Sequence, residues 1–354
     1  MPRLTGAGRS LAVLCGLVNA ACLQFRPPPV PVPEALTGPY RVVWASSAGR
    51  GTSGEVVVGD GTVYLGGTDR TVYAVDLETG VVKWRRRLGG AILGGVVLAG
   101  GTVYAGTDRP QGSVAALDAA TGVQRWRHER WRTGLPLAVG TEVVAMHDRE
   151  GQIIAFDAAT GRVRWRRRVG ASVTPPVLLA DAILATTSDS LFRLAPGDGA
   201  VLARAAGPGD VPGGWRVSGT QLVGGTARGE VVALNPGALT VGWRVALGSP
   251  VLAPLGVRGD TLLAGTAAGE VWAVPPGTGR CILHTGRPIS GPPIPEGNLL
   301  LVPGADGTLR AYTADGTEQW RINHWRPLGV PALRLPGGDL LVVGSNGDLA
   351  RYTR

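Results

Sequence analysis

The chain has 354 residues, 56 of them glycine, with aromatics at 5% and charged residues at 17%. That length is more than one compact core holds, and so much glycine asks for many tight turns, which together exclude a simple two-layer domain. The formal net charge is +9, carried by 34 Arg and a single Lys.

The N-terminus comes first. Arg3 and Arg9 precede the apolar stretch Leu11–Val18 (LAVLCGLV), followed by Asn19, Ala20, Ala21 and Cys22. This is the layout of a secretory signal peptide, predicted over residues 1–22. Eight apolar residues are too few to span a bilayer as a permanent helix. The small residues before Cys22 resemble the lipobox of bacterial lipoproteins, although Asn19 stands where that motif usually has Leu. Two outcomes stay open: diacylation of Cys22, or simple cleavage near Ala20 or Ala21. Residues 23–39 form a predicted linker, in which Arg26–Pro33 (RPPPVPVP) should extend as polyproline II at ~3.1 Å per residue.

From residue 40 onward the chain repeats. The motif A-x-D-x-x-T-G-x-x-x-W stands at Ala74–Trp84, Ala116–Trp126 and Ala155–Trp165, then decays. Its Asp slot falls at Asp76, Asp118, Asp157, Ala195, Asn235, Pro275, Thr313 and Thr353, at intervals of 42, 39, 38, 40, 40, 38 and 40 residues. A unit this short cannot bury its own apolar face, so the copies must stack. Each unit reads as four short strands; in the first these are Glu55–Val58, Thr62–Leu65, Thr71–Val75 and Val82–Arg87. Gly80, Gly122 and Gly161 fall where a hairpin needs positive φ, and the upstream Asp can accept turn N–H groups.

The predicted fold is therefore all-β: one domain over residues 40–354, an eight-bladed β-propeller of four-stranded blades. The eighth repeat (Val330–Arg334, Asp339–Val343, Asp348–Tyr352) lacks a fourth strand, and Arg41–Ala45 (RVVWA) is predicted to supply it. An N-terminal strand completing the last blade removes the free edges. Trp44, Trp84, Trp126, Trp165, Trp243 and Trp320 mark the fourth-strand slots, with Ala203 and Leu283 in two others. Indoles suit a wedge between sheets that donates one N–H to a carbonyl.

Chemistry-bearing residues are sparse. Cys15 and Cys22 lie in the signal region, which leaves Cys281 alone in the fold, expected as a buried thiol. His128, His147, His284 and His324 have no ligand spacing and are expected at the surface, so no metal site is predicted.

The repeated motif resembles the pyrroloquinoline-quinone (PQQ) repeat, or tryptophan-docking motif, over nearly all of residues 40–354. That resemblance implies the eight-bladed propeller but not one function. Quinoprotein dehydrogenases share it, as do non-enzymatic propellers such as the lipoprotein subunit (BamB) of the outer-membrane β-barrel assembly machinery. The enzymes hold the quinone with an adjacent-cysteine disulfide, a stacking Trp, a Ca²⁺ site and a catalytic Asp. This chain has no Cys-Cys pair, and its predicted innermost strands carry Glu55, Arg216 and Arg334 as their charges. No catalytic, cofactor-binding or metal-binding residue is therefore expected, and no cofactor.

The charge is uneven. Residues 81–168 hold 15 basic against 7 acidic side chains. Arg85, Arg87, Arg125, Arg127, Arg164, Arg166 and Arg168 lie on fourth strands and would form a basic rim. Two readings stay open: charges that keep exposed edges from pairing, or a face for an anionic partner. The expected protein is an exported interaction scaffold of the bacterial envelope, periplasmic or at the cell surface, tethered by a lipid at Cys22 and serving outer-membrane protein assembly. Its partner would be an envelope protein, with no nucleic acid and no small-molecule substrate. The alternative is a PQQ- or other ligand-binding propeller with a redox role.

Overall fold

The computed structural model describes residues 38–52, 54–324 and 332–354. The predicted signal segment, Cys22 and linker residues 23–37 lie outside the described residues. Every helix or strand among the described residues is a strand, and the strands form eight four-stranded antiparallel sheets. In seven of the sheets the strands follow chain order from the axis outward; the first blade runs Val57–Gly59, Thr62–Gly66, Thr71–Asp76, Val82–Arg87. Its innermost strand begins later than predicted. Glu55 instead forms an isolated parallel bridge with Gly95 of the second blade.

Both faces of a blade are covered by neighbouring blades, so the middle strands are mostly buried, without alternation. Thr62–Gly66 is buried at every position, whereas Val82–Arg87 is half-buried at Val82 and Trp84 and exposed elsewhere. The core accordingly lies between sheets: one cluster joins Tyr64, Val72 and Ala74 of the first blade to Val103, Ala115 and Leu117 of the second. Complete burial of a side chain such as Leu65 stabilises the fold by about 1.5–3 kcal/mol.

The ring closes where the sequence places the closure. Arg41–Ser47 pairs antiparallel with Asp348–Thr353, with Arg41 opposite Thr353 and Ser47 opposite Asp348. Arg351 fastens this blade to the next: its Nη1 lies 2.7 Å from Glu78 and 3.0 Å from the Leu77 carbonyl, and its Nε is 2.8 Å from Asp339.

Candidate functional site

The D-x-x-T-G turn organises the outer edge of the first three blades. Asp76 Oδ1 accepts from the Thr79 amide at 2.9 Å and the Thr79 hydroxyl at 2.8 Å, and Gly80 follows at φ 71°. Asp118 with Thr121 and Asp157 with Thr160 repeat the arrangement. Hydrogen bonds from Thr79 and then Lys83 hold Asp76 down to about 2; those from Arg125 and then Thr121 do the same for Asp118, and those from Arg164 and then Thr160 for Asp157.

The glycine in this turn is also where the preceding blade's tryptophan rests. Trp44, Trp84, Trp126 and Trp165 donate from Nε1 to the carbonyls of Leu77, Ala119, Ala158 and Pro196, at 2.9, 2.9, 2.8 and 2.8 Å. Each acceptor is the residue after the Asp slot. A β-carbon on Gly80, Gly122, Gly161 or Gly199 would come within 2.4–2.6 Å of those rings. The glycine thus serves both the turn's positive φ and the seat of the indole.

Trp243 and Trp320 depart from this pattern. Trp243 is half-buried and its indole N–H has no acceptor among the described residues; the sixth blade's turn carries Pro275 and Pro276, and Gly279 packs against Val245 instead. Trp320 faces the closure, where Gly38 takes the seat and Tyr40 packs at 5.1 Å between ring centroids. The sequence signal for that seat, Thr37–Gly38 ahead of Trp44, was legible in principle but hidden by a longer spacing to the tryptophan.

On the rim the seven candidate arginines divide. Arg125 pairs with Asp118 at 2.9 Å, Arg164 with Asp157 at 2.8 Å and Arg127 with Glu129 at 3.1 Å. Lys83 pairs likewise with Asp76 at 3.1 Å. Arg85, Arg87, Arg166 and Arg168 are exposed and, among the described residues, have no carboxylate partner. Uncompensated charge therefore sits on the outer strands of the first and third blades.

The axial channel is lined by Glu55, Pro136–Val139, Pro175–Leu178 and Gly213–Trp215, around a cavity of about 260 Å³. Glu55 is solvent-exposed, yet the enclosing walls desolvate it and push its pKa up. Trp215 offers an aromatic face, with its N–H donated to Thr186 Oγ1 at 2.8 Å. These residues do not fit PQQ with Ca²⁺, because a hard cation takes six to eight oxygen ligands and this wall supplies one carboxylate.

Four expectations need correction. The innermost strands carry two further charges, Arg258 and Glu296, at their last residues, one past the stretches read as strand. Glu296 is buried, accepts from Tyr40 Oη at 2.6 Å and pairs with Arg354 at 3.1 Å. His147 and His324 are not surface residues: they are 1% and 8% exposed, and burial lowers the pKa of both. Cys281 is only half-buried, and Leu283 lies opposite Val271 rather than in the tryptophan slot, because the strand register of the sixth blade is displaced. Desolvation, then Glu270, raises the Cys281 pKa, which disfavours a standing thiolate nucleophile.

Known structures share this architecture. BamB from Moraxella catarrhalis is 19% identical with a TM-score of 0.74, covering 89% of this chain and 100% of that one. The computationally designed Ika8 protein is 15% identical with a TM-score of 0.70, covering 89% and 100%. Quinohemoprotein alcohol dehydrogenase ADHIIG from Pseudomonas putida HK5 is 15% identical with a TM-score of 0.69, covering 92% and 78%. At these identities the likeness establishes the fold alone. No curated protein matches the chain. A family model described as outer membrane protein assembly factor BamB matches residues 37–132, 110–237 and 227–353. With the motif, the eight blades and that match running through nearly all of the propeller, the chain belongs to the BamB family of PQQ-like repeat proteins.

Proposed function

We propose that the protein is a non-catalytic interaction scaffold of the bacterial cell envelope, exported and held at a membrane by a lipid on Cys22, that serves outer-membrane protein assembly. The observation that carries this reading is the free basic face: Arg85, Arg87, Arg166 and Arg168 are exposed on outer strands and lack the carboxylate partners that Lys83 and Arg164 have on the same strands. Unpaired guanidinium groups in this number suit an acidic protein surface or anionic headgroups. Family membership supports the assembly role, and the small residues before Cys22 support the anchor.

The test is the variant in which those four arginines become Gln. It should fold as wild type while losing affinity for a membrane protein partner captured by crosslinking, or for anionic vesicles, at about 50–150 mM salt, where exposed charges are screened over ~8–14 Å. Unchanged binding together with lower solubility would reduce the rim to protection against edge pairing. Anchoring is tested separately: wild type should incorporate labelled fatty acid and Cys22→Ser should not, so equal labelling would refute the lipid anchor.

A second reading, a ligand-binding or redox propeller, has Trp215 in the channel and the quinohemoprotein likeness in its favour. A chromophore and dye-linked dehydrogenase activity on adding PQQ and Ca²⁺ would establish it. The scaffold reading expects neither.

A further inference from the structure

The sixth blade breaks the register shared by the blades whose third and fourth strands are consecutive in sequence. In blades one, two, three, five and seven a bulge follows the motif alanine, at Ala74/Val75, Ala116/Leu117, Ala155/Phe156, Ala233/Leu234 and Ala311/Tyr312; blade four has it at the matching Arg193/Leu194. In blade six it falls between Val271 and Trp272, two residues early. Cys281 and His284 are three residues apart, so a regular strand would turn them to opposite faces. The displaced bulge returns them to one face, with Cys281 opposite Trp272 and His284 opposite Glu270. Cys281 Sγ then lies 3.4 Å from His284 Nε2, and His284 Nδ1 lies 3.8 Å from Glu270 Oε1. Re-aiming side chains is a recurrent use of bulges at functional sites.

Comparison with blade five gives an independent observation. Glu230 opens its third strand as Glu270 opens that of blade six, and Glu230 is answered by Arg244 at 3.3 Å. Arg244 stands opposite Val232; the matching position opposite Trp272 is Cys281. A soft sulfur donor has taken the place of the cation that faces this carboxylate. The Trp272 indole N–H, 3.0 Å from Glu270 Oε2, meanwhile fixes the carboxylate's orientation.

We propose that Glu270, Cys281 and His284 form a three-ligand site for a borderline divalent cation, Zn²⁺ above all, with the fourth coordination position open to solvent. Sulfur, imidazole and carboxylate are the donors this ion takes, and bond lengths of about 2.0–2.3 Å place tetrahedral ligand atoms about 3.3–3.8 Å apart. All three ligand atoms already lie within 4.8 Å of one another. The His284 side chain is 73% exposed and free to close the remaining gap. Binding releases the thiol proton to water and clips the fourth strand to the third in a blade without a docking tryptophan on its outer strand.

The test uses the full chain with Cys15→Ser and Cys22→Ser, so that Cys281 is its sole thiol. Stoichiometric Co²⁺ should give a thiolate-to-cobalt charge-transfer band and the intense visible bands of a tetrahedral ion, and Zn²⁺ should abolish both. Adding Cys281→Ser should remove the charge-transfer band. His284→Gln, which alters an exposed side chain and should leave the circular dichroism unchanged, should weaken Zn²⁺ binding by about tenfold or more, as should Glu270→Gln. Absence of a thiolate band at millimolar Co²⁺ overturns the proposal, and so does Zn²⁺ affinity unchanged by His284→Gln.

Discussion

Trp126 and Gly161 touch across the interface between the second and third blades, and the contact can be weighed from both sides. Trp126 is 8% exposed, donates to Ala158 at 2.8 Å and packs against Phe156 with ring centroids 6.4 Å apart. Trp126→Ala removes this aromatic and leaves a cavity, at a cost of about 3–5 kcal/mol. Gly161→Ala places a β-carbon at φ 71°, costing about 1–2 kcal/mol. The new atom would also stand 2.5 Å from two ring carbons of Trp126, adding about 1–3 kcal/mol of overpacking. In the Trp126→Ala background the second cost disappears, so Gly161→Ala should then lose only about 1–2 kcal/mol. Urea unfolding of wild type, both single variants and the double variant, followed by circular dichroism, measures the coupling of about 1–3 kcal/mol. Costs that add to within about 0.5 kcal/mol would show that the glycine does not seat the indole.

The other indoles allow a contrast: Trp126→Phe removes the 2.8 Å donor to Ala158, leaving only the longer 3.4 Å bond from Tyr104 Oη, and should cost about 0.5–1.5 kcal/mol, while Trp243→Phe removes a buried N–H without an acceptor among the described residues and should cost less. Equal shifts of the urea midpoint would contradict this. Deleting residues 1–48 takes the outer strand from Asp348–Thr353 and should lower the melting temperature further than deleting residues 1–36; identical melting would mean the closing strand contributes nothing. Asp76, Asp118 and Asp157 are held at about 2, below the unfolded value of about 3.9, so their contribution is complete above about pH 5 and is lost as pH falls from about 4 to 2. Replacing all three by Asn should flatten part of that acid limb in the urea midpoint, and an unchanged limb would rule them out as its source.

Sequence made the ring legible because its units are short and each spends the same residues on the same turn. Asp76, Thr79, Gly80 and Trp84 declare a hairpin and a wedge at fixed offsets, and the middle strands declare themselves as short, predominantly apolar runs between turns. What stayed hidden depends on register. Cys281 and His284 look unrelated along the chain, since three residues apart means opposite faces until a bulge intervenes, and nothing in the residues announces where a bulge will fall. Buried His147 was hidden for a similar reason: its partner is the Gly170 carbonyl, 2.7 Å away and 23 residues later in the chain.

Position within a blade decides which residues are free to do anything besides fold. The middle strands are enclosed on both sides, so substituting there perturbs two blades at once. The outer strand has a neighbour on one edge, and its alternation divides it further. In Val82–Arg87 Trp84 is spent on docking, and Lys83, the extra residue at the bulge, is spent on Asp76. Arg85 and Arg87 share the face opposite Trp84 and serve neither end, and Arg166 and Arg168 repeat the situation beside Trp165 and Arg164. The sixth blade offers the same freedom in another form, since without an outer-strand tryptophan its fourth strand can shift register and bring Cys281 to Glu270. A basic face and a ligand cluster thus arise on outer strands for one physical reason: that is where the repeat leaves side chains without packing duties.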